Sequence, residues 1–304
     1  MKQSGTLTAA NEREGLVTAA FGRHYEVRLD DGRLVNGIPR GKKSPFACGD
    51  RVTLGPLADS EAQILSHLPR TTLLYRSDQW KQKHIAANAS QIVLVVATEP
   101  AFSTELISRA LVAARDQNMR ALIVLNKCDL TDLLPAARAQ LAAFNALGMP
   151  VIELSARDDA RPLLPWLADQ VSVLVGQSGM GKSTLVNALI PGAAAATREI
   201  SIALDSGKHT TTHARLYDLA NGPGQLIDSP GLQEFGLAHL TRGAIELGFS
   251  EIAALDGQCR FRDCRHETEP DCALKAAIAA GKVDARRLEH FVTITSEGDR
   301  AKTY

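Results

Sequence analysis

The hydrophobic and polar positions along the chain change pattern twice, and each pattern indicates a different architecture. In the first part, from about residue 15 to residue 68, short apolar segments are broken by turn residues, which predicts β-strands at 15–17, 25–29, 33–35 and 49–54. The turn Asp30-Asp31-Gly32 between two of them predicts a β-hairpin. We expect a small β-barrel of the oligonucleotide-binding (OB) type, although a barrel with a merely structural role fits the same pattern.

From about residue 92, apolar segments of strand length alternate with longer segments that are rich in alanine and leucine. This alternation predicts a parallel sheet covered by helices, which is an α/β core. After about residue 240 the chain is helical with a cysteine-rich interruption, so we expect domains at 1–70, 71–239 and 240–304. The expected core strands are 92–96, 121–125, 151–154 and 171–175, and the expected core helices are 104–118 and 133–147.

The composition is typical of a soluble globular protein, with 304 residues of which 45% are hydrophobic and 22% are charged. The N-terminus lacks the apolar stretch of a secretory signal, and the longest apolar segments are too short to span a bilayer. We therefore expect a cytoplasmic protein with no membrane partner. The 34 basic and 34 acidic side chains balance, so any contact with nucleic acid must come from local patches.

An eight-residue phosphate-loop pattern lies between the strand expected at 171–175 and a helix expected to begin near Lys182. Its glycines let backbone N–H groups turn towards phosphates, and the helix N-terminus adds a positive partial charge. Lys182 would neutralise the β- and γ-phosphates, and the Ser183 hydroxyl would bind Mg²⁺. The residues of the pattern are Gly176, Gln177, Ser178, Gly179, Met180, Gly181, Lys182 and Ser183.

A second pattern, Asn126-Lys127-Cys128-Asp129, directly follows the strand expected at 121–125 and predicts a guanine site. The Asp129 carboxylate can accept hydrogen bonds from N1–H and the exocyclic amine of guanine. Adenine would leave this carboxylate unpaired, at a cost of roughly a few kcal/mol, so we expect GTP and GDP as ligands. Ser155-Ala156 follows the next strand and could offer a backbone N–H to guanine O6.

Two downstream segments would complete the site around the γ-phosphate. Asp228-Ser229-Pro230-Gly231 supplies a carboxylate for the Mg²⁺ shell and a glycine N–H near the γ-phosphate. The polar segment before it contains Thr211 and Thr212, either of which could bind the metal through its hydroxyl; the sequence does not distinguish them.

In many GTPases, a glutamine directly after the glycine of the downstream motif orients the attacking water. In this chain that position is Leu232. Leucine cannot orient water, so we expect slow intrinsic hydrolysis that a partner accelerates. His209 is the candidate for the catalytic role, and Gln233 is a weaker alternative because a shift of one residue repoints the side chain.

A separate cluster predicts a metal site. Cys259, Cys264, His266 and Cys272 supply three thiolates and one imidazole, the closed set of ligands typical of one structural zinc ion. Clustered thiols in a reducing compartment favour metal over disulfides. Arginines and acidic residues interleave with these ligands, so the surface of the cluster is either basic or neutral.

The order of the nucleotide motifs is reversed, because the guanine motif at 126–129 precedes the phosphate loop. Such an order indicates a circularly permuted chain. In this order, the motifs at 126–129, 176–184, 209–212 and 228–231, together with the four metal ligands, resemble those of the RsgA or YjeQ family of ribosome-associated GTPases. Ala86-Ala87-Asn88 also resembles a signature of that family, and the resemblance adds Thr184 to the phosphate-loop residues.

The resemblance implies a circularly permuted P-loop GTPase core with an N-terminal OB-type barrel and a C-terminal helical zinc-binding domain. It further implies a late assembly factor for the small ribosomal subunit, which contacts rRNA through the flanking domains, hydrolyses GTP when the subunit stimulates it, and is then released. The catalytic histidine proposed for the family falls on His209. We expect a monomer, and we expect the GTP state to reposition the C-terminal unit through the segment that follows Asp228.

Two other interpretations start from the same residues. In the first, the chain is a zinc-stabilised RNA-binding module whose GTP site only regulates RNA affinity. In the second, it is a signalling GTPase with protein partners and no RNA. Nucleotide-dependent RNA binding that survives His209→Ala would favour the first, and the absence of any ribosome association would favour the second.

Overall fold

The computed structural model describes residues 13–41, 45–77, 82–193, 213–220, 222–229 and 236–301. Within these ranges, no helix has both the length and the apolar character that a membrane span requires. The strands are β1 (Arg13–Phe21), β2 (His24–Leu29), β3 (Leu34–Pro39), β4 (Arg51–Ala58), β5 (Glu61–His67), β6 (Leu73–Ser77), β7 (Gln82–Ala87), β8 (Gln91–Ala97), β9 (Arg120–Asn126), β10 (Val151–Glu153), β11 (Val171–Val175), β12 (Ala214–Asp218) and β13 (Gln225–Asp228). The helices are α1 (Thr104–Asp116), α2 (Leu134–Ala146), α3 (Leu164–Leu167), α4 (Lys182–Leu189), α5 (Arg242–Leu247), α6 (Ser250–Ala253), α7 (Ala273–Ala279) and α8 (Ala285–Ala301).

The first five strands form a closed barrel. β1 pairs with β2 and β4, β2 pairs with β3, and β5 closes the ring between β3 and β4. Alternate side chains of each strand point inwards, and Val17, Tyr25, Val27, Leu54 and Ile64 belong to its buried core. The hairpin expected around residues 30–32 joins β2 to β3, which confirms that prediction. An OB-type barrel is therefore present, and the sequence pattern missed only its fifth strand.

The core contains a parallel sheet in the order β10-β9-β8-β11-β13, with β12 antiparallel at the edge. Every residue of β8 is buried, as expected of a parallel strand that is covered on both faces. All the core strands and helices expected from the sequence are present, and their ends differ by only a few residues. Because the five strands are parallel, their carboxyl ends meet at one edge, where open α/β sheets bind ligands.

The barrel and the core share one eleven-stranded sheet, which the sequence pattern did not predict. The end of β1 pairs with β12, and Ala19 lies opposite Arg215. Beside this pairing, Glu26 of the barrel accepts hydrogen bonds from Arg215 at 3.0 Å and from Thr18 at 2.8 Å. The barrel is therefore joined to the core by backbone pairing and by a partly buried ion pair.

The hairpin of β6 and β7 connects the barrel to the first core strand, and Asn88 fixes its base. The Asn88 side chain donates to Gly49 O at 2.9 Å and accepts from Thr71 N at 2.9 Å. Asn88 also has a positive φ of 56°, a conformation that asparagine tolerates better than most residues. The Ala86-Ala87-Asn88 segment thus ties the barrel to the linker between the two domains.

The C-terminal region packs its helices against α1 of the core. Phe249 and Phe291 are fully buried and meet edge to face, with ring centroids 5.4 Å apart. The four predicted metal ligands lie in and at the end of the loop between α6 and α7. This region therefore has a small aromatic core and a cysteine-rich loop beside it.

Candidate nucleotide and metal sites

The phosphate loop begins at the carboxyl end of β11, and α4 begins at Lys182 as expected from the sequence. The Lys182 ammonium donates hydrogen bonds to Gly176 O at 2.6 Å and to Gln177 O at 2.9 Å, so the lysine folds back over the loop. Burial lowers the pKa of Lys182, and the charge of Asp228 opposes this effect. A cationic side chain held in a concave backbone loop is suited to binding phosphate.

Two glycines of the loop are required by their neighbours. A Cβ atom on Gly176 would lie 2.2 Å from Val95 O of the adjacent strand, and one on Gly181 would lie 2.3 Å from Asn126 Nδ2. Gly181 also has a φ of +90°, which side chains other than glycine rarely adopt. The loop can therefore approach both β8 and the guanine motif only because these positions lack side chains.

Asn126 connects three of the predicted motifs. It is buried, its Nδ2 donates to Met180 O of the phosphate loop, and its Oδ1 accepts from Ala156 N, each at 2.9 Å. Of the backbone N–H groups of Ser155-Ala156, one of which could meet guanine O6, that of Ala156 is thus already used by Asn126. In the described parts of the chain, the buried Ser155 hydroxyl has no hydrogen-bond partner, which leaves it as a polar group of this segment that a base could contact.

The other two residues of the guanine motif lie at the rim of the site. Lys127 has a φ of +61°, and its ammonium donates to Glu99 O at 2.8 Å, across the mouth of the site. Asp129 is exposed, and no described residue forms a hydrogen bond or an ion pair with its carboxylate. Such an unpaired acceptor can receive the two adjacent donors of guanine.

Asp228 ends β13 on the other side of the phosphate loop. Its Oδ1 is buried and has no hydrogen-bond partner among the described residues. Burial raises the pKa of Asp228 to about 6, and nearby Lys182 partly offsets this effect. Ser229 fixes the turn by donating its hydroxyl to Leu174 O at 2.6 Å. A buried carboxylate oxygen without a partner fits a hard cation such as Mg²⁺ or one of its bound waters.

The four predicted ligand atoms of the C-terminal region lie close enough together to hold one metal ion. The Sγ atoms of Cys264, Cys259 and Cys272 lie 3.5, 3.7 and 3.3 Å from His266 Nδ1, and two of the sulfurs are 4.0 Å apart. Zinc bonded to sulfur and nitrogen at its usual distances gives tetrahedral edges of about 3.8 Å between sulfurs and about 3.5 Å between sulfur and nitrogen. All four ligand atoms lie within 4.8 Å of one another, so this group could hold a metal ion through Nδ1 of the histidine.

Glu269 organises the metal loop, although the sequence pattern showed it only as one of several acidic residues. Its carboxylate accepts hydrogen bonds from the backbone N–H groups of Arg265, Glu267 and Thr268, at 2.9 to 3.1 Å. These bonds lower the pKa of Glu269 to about 2. The three N–H groups lie on both sides of His266, which has a positive φ of 65° and whose Nδ1 is close to the three sulfurs.

Known proteins resemble this chain along most of its length. A family model described as RsgA GTPase matches residues 67–238. The small ribosomal subunit biogenesis GTPase RsgA of Bordetella pertussis is 50% identical over 299 residues, which cover 97% of this chain and 100% of the relative. The chain belongs to the RsgA GTPase family. It is therefore a GTP hydrolase.

Further members and solved structures agree with this assignment. The RsgA of Nitrosospira multiformis is 50% identical over 277 residues, covering 91% of this chain and 88% of the relative. The crystal structure of YjeQ from Thermotoga maritima superposes with a TM-score of 0.70 and 29% identity, covering 94% of this chain and 98% of that one. YloQ, described as a circularly permuted GTPase, gives a TM-score of 0.66 and 25% identity, with 98% of each chain covered. The permuted core expected from the motif order is thus confirmed.

The structure brings most of the predicted nucleotide residues of this RsgA-family chain together at one sheet edge. The phosphate loop lies between the guanine motif and Asp228, and Ser183 and Thr184 are exposed on the first turn of α4. Other predicted residues lie outside the described parts of the chain: His209, Thr211, Thr212 and Gly231, together with Leu232 and Gln233.

Proposed function

We propose that this GTPase acts in the biogenesis of the small ribosomal subunit. The observation that carries this proposal is the identity of 50% over nearly the whole chain to relatives that bear that function in their name. The permuted core, the barrel and the cysteine cluster of this chain support the proposal.

The proposed nucleotide roles follow from the site. The phosphate loop and Lys182 would hold the phosphates, and Asp129 would select guanine through its unpaired carboxylate. Ser183, Asp228 and one of Thr211 and Thr212 would hold Mg²⁺, which, when bound, neutralises charge on the β- and γ-phosphates. The Gly231 N–H would contact the γ-phosphate. The proposed GTP-binding residues are Asn126, Lys127, Asp129, Ser155, Ala156, Gly176 to Thr184, Thr211, Thr212, Asp228 and Gly231.

The proposed route of hydrolysis needs a partner. Because Leu232 cannot orient water, His209 would position the attacking water, and contact with the small subunit would hold this histidine in place. GTP hydrolysis would then release the protein from the subunit. Without the subunit, turnover is expected to be slow.

The flanking units would contact rRNA. The metal held by Cys259, Cys264, His266 and Cys272 is proposed to be one structural zinc ion, because all four ligand positions belong to the protein and none remains for a substrate. The barrel would provide the second RNA contact. We propose that the protein works as a cytoplasmic monomer with no membrane partner.

Sedimentation tests the proposed association and release. The protein would be mixed with isolated small subunits and with GDP or a non-hydrolysable GTP analogue, then pelleted, with large subunits as the control. We expect the protein to pellet with small subunits in the presence of the analogue and to remain in the supernatant with GDP. Equal pelleting with both nucleotides would contradict the release step, and no pelleting with small subunits would overturn the proposed function.

A further inference from the structure

A side chain of the phosphate loop completes the N-terminal cap of α1. Ser103 is the N-cap of this helix, and its hydroxyl accepts from Leu106 N at 3.2 Å. In many helices the N–H of the N-cap residue is bound by a glutamate or glutamine three positions later, but here that position is Leu106, which cannot accept a hydrogen bond. Gln177 takes over this role, because its Oε1 accepts from Ser103 N at 2.8 Å.

The same glutamine contacts the lysine that is expected to bind phosphate. The carbonyl of Gln177 accepts one of the hydrogen bonds of the Lys182 ammonium, at 2.9 Å. A bound nucleotide offers charged phosphate oxygens, which compete with backbone carbonyls for these N–H groups because hydrogen bonds between charged groups are stronger. Gln177 therefore contacts both parts of the molecule: its backbone carbonyl accepts from the lysine that is expected to bind phosphate, and its side chain caps the start of α1.

Two buried side chains of α1, Ser108 and Arg109, bind the C-terminal helix α8. Arg109 is only 6% exposed and forms ion pairs with Glu105 of its own helix and with Glu297 of α8. Its Nη1 donates to Glu297 Oε2 at 2.8 Å. About two turns of α8 earlier in the chain, His290 Nδ1 lies 2.9 Å from the hydroxyl of the buried Ser108.

A second arginine extends the connection to the rest of the C-terminal region. Arg287 is 2% exposed, donates to Ser108 Oγ at 2.7 Å and forms an ion pair with Glu251 of α6. Gly248, which follows α5, lies so close to α1 that an added Cβ would be 2.6 Å from Val112. Buried charges keep their partners because an unpaired buried charge is strongly unfavourable, so α8 and α1 are expected to move together.

We propose that Gln177 is a positioning residue that couples nucleotide binding at the phosphate loop to the placement of the C-terminal unit, with α1 as the rigid link between them. The route runs from Lys182 through Gln177 and Ser103 into α1, and from Ser108 and Arg109 into α8. Coupling between two sites is reciprocal, so displacement of the C-terminal unit would change the affinity for nucleotide by the same factor. This route is independent of residues 230–235, which lie outside the described chain.

A double-mutant cycle on the full-length, zinc-loaded protein tests this proposal. The variants are Gln177→Met, which keeps the length of the side chain and removes the acceptor, Glu297→Ala in α8, and the combination of both. The measured quantity is the Kd of GDP and of a non-hydrolysable GTP analogue. We expect Glu297→Ala alone to change the ratio of the two Kd values by roughly fivefold. In a protein that already carries Gln177→Met, we expect Glu297→Ala to leave this ratio unchanged.

Glu289→Ala is the matched control, because Glu289 is an exposed acidic residue of the same helix with no described contact to α1. If the Glu297→Ala variant has a lower zinc content or a weaker helical circular-dichroism signal, the cycle is repeated with Glu297→Gln, which keeps the shape of the side chain. The proposal is overturned if Glu297 variants leave the ratio unchanged, or if their effect is the same with and without Gln177. The cycle needs no ribosomal subunit, so its outcome is separate from that of the proposed assembly role.

Discussion

At the scale of single residues, two side chains of the candidate nucleotide site connect parts of the chain that are far apart in the sequence: Asn126 contacts Met180 and Ala156, and Gln177 contacts Ser103. The guanine role of Asp129 stays a prediction, which rests on a local motif that follows a recognisable strand. The use of the Ala156 N–H by Asn126 could not be predicted, because that bond joins residues that are 30 positions apart. The contact between Gln177 and Ser103 spans 74 positions and was missed for the same reason.

Asp129→Asn is expected to change the preferred base. The amide keeps an acceptor for N1–H but replaces the second acceptor by a donor, which meets the exocyclic amine of guanine unfavourably and the 2-oxo group of xanthine favourably. We expect GTP affinity to fall by about 10- to 100-fold, corresponding to about 1–3 kcal/mol, and XTP affinity to rise. Titration with fluorescent GTP and XTP analogues measures both, and unchanged GTP affinity would mean that Asp129 does not contact the base.

Gly181→Ala is expected to abolish tight nucleotide binding. The new Cβ would lie 2.3 Å from Asn126 Nδ2, in a backbone conformation with a φ of +90° that alanine disfavours. We therefore expect GDP affinity to fall by at least about tenfold. Gly243→Ala is the matched control, because an added Cβ at Gly243 meets nothing within 4 Å, and it should leave the affinity unchanged. Equal affinities of the two variants would contradict the geometry described for the phosphate loop.

At the scale of elements, the periodicity of the sequence correctly predicted the strands and helices of the core, because burial on both faces gives fully apolar strands. The pairing of β1 with β12 was not predictable, since no pattern within a strand specifies its neighbour across a domain boundary. The metal loop likewise combines features that the sequence predicts with features that depend on the fold. The residue types predicted its four candidate ligands, which the fold brings together, whereas the role of Glu269 depends on a turn that brings three backbone N–H groups together.

Glu269→Ala is expected to weaken metal binding without removing a ligand. The backbone around His266 would lose three hydrogen bonds, so the ring would be held less well, and we expect zinc affinity to fall by about tenfold. Competition with a chromogenic chelator measures this affinity. Glu267→Ala removes an exposed carboxylate from the same loop and serves as the control. If both variants bind zinc equally well, Glu269 does not organise the site.

Glu26→Ala is expected to destabilise the junction between barrel and core. It would leave Arg215 and Thr18 without their shared acceptor, and the Glu26 and Arg215 side chains are only 24% and 19% exposed. We expect the free energy of unfolding to fall by about 1–3 kcal/mol in urea titrations. Arg138→Ala breaks the exposed pair with Glu153 and should have no measurable effect. A similar loss of stability in both variants would show that the junction contributes no more than a surface ion pair.

At the scale of the whole molecule, the nucleotide site lies in a core that contacts a different unit on each side. The barrel continues the core sheet through β12, and the C-terminal helix α8 is bound to α1 by the ion pair of Arg109 with Glu297 and by the hydrogen bond from Arg287 to Ser108. A partner that touches both outer units could therefore act on the site between them. The order of the motifs and the composition of the three regions allowed this architecture to be predicted, while the physical contacts between the regions became evident only from the fold.

The rate of GTP hydrolysis with and without isolated small ribosomal subunits tests the central claim most directly, with large subunits and ATP as controls. We predict slow hydrolysis by the protein alone and an increase of roughly tenfold or more with small subunits, equivalent to about 1.4 kcal/mol of activation free energy. ATP should not be hydrolysed, and large subunits should give no stimulation. A protein that binds GTP normally but hydrolyses it at the same rate with and without small subunits would contradict the account.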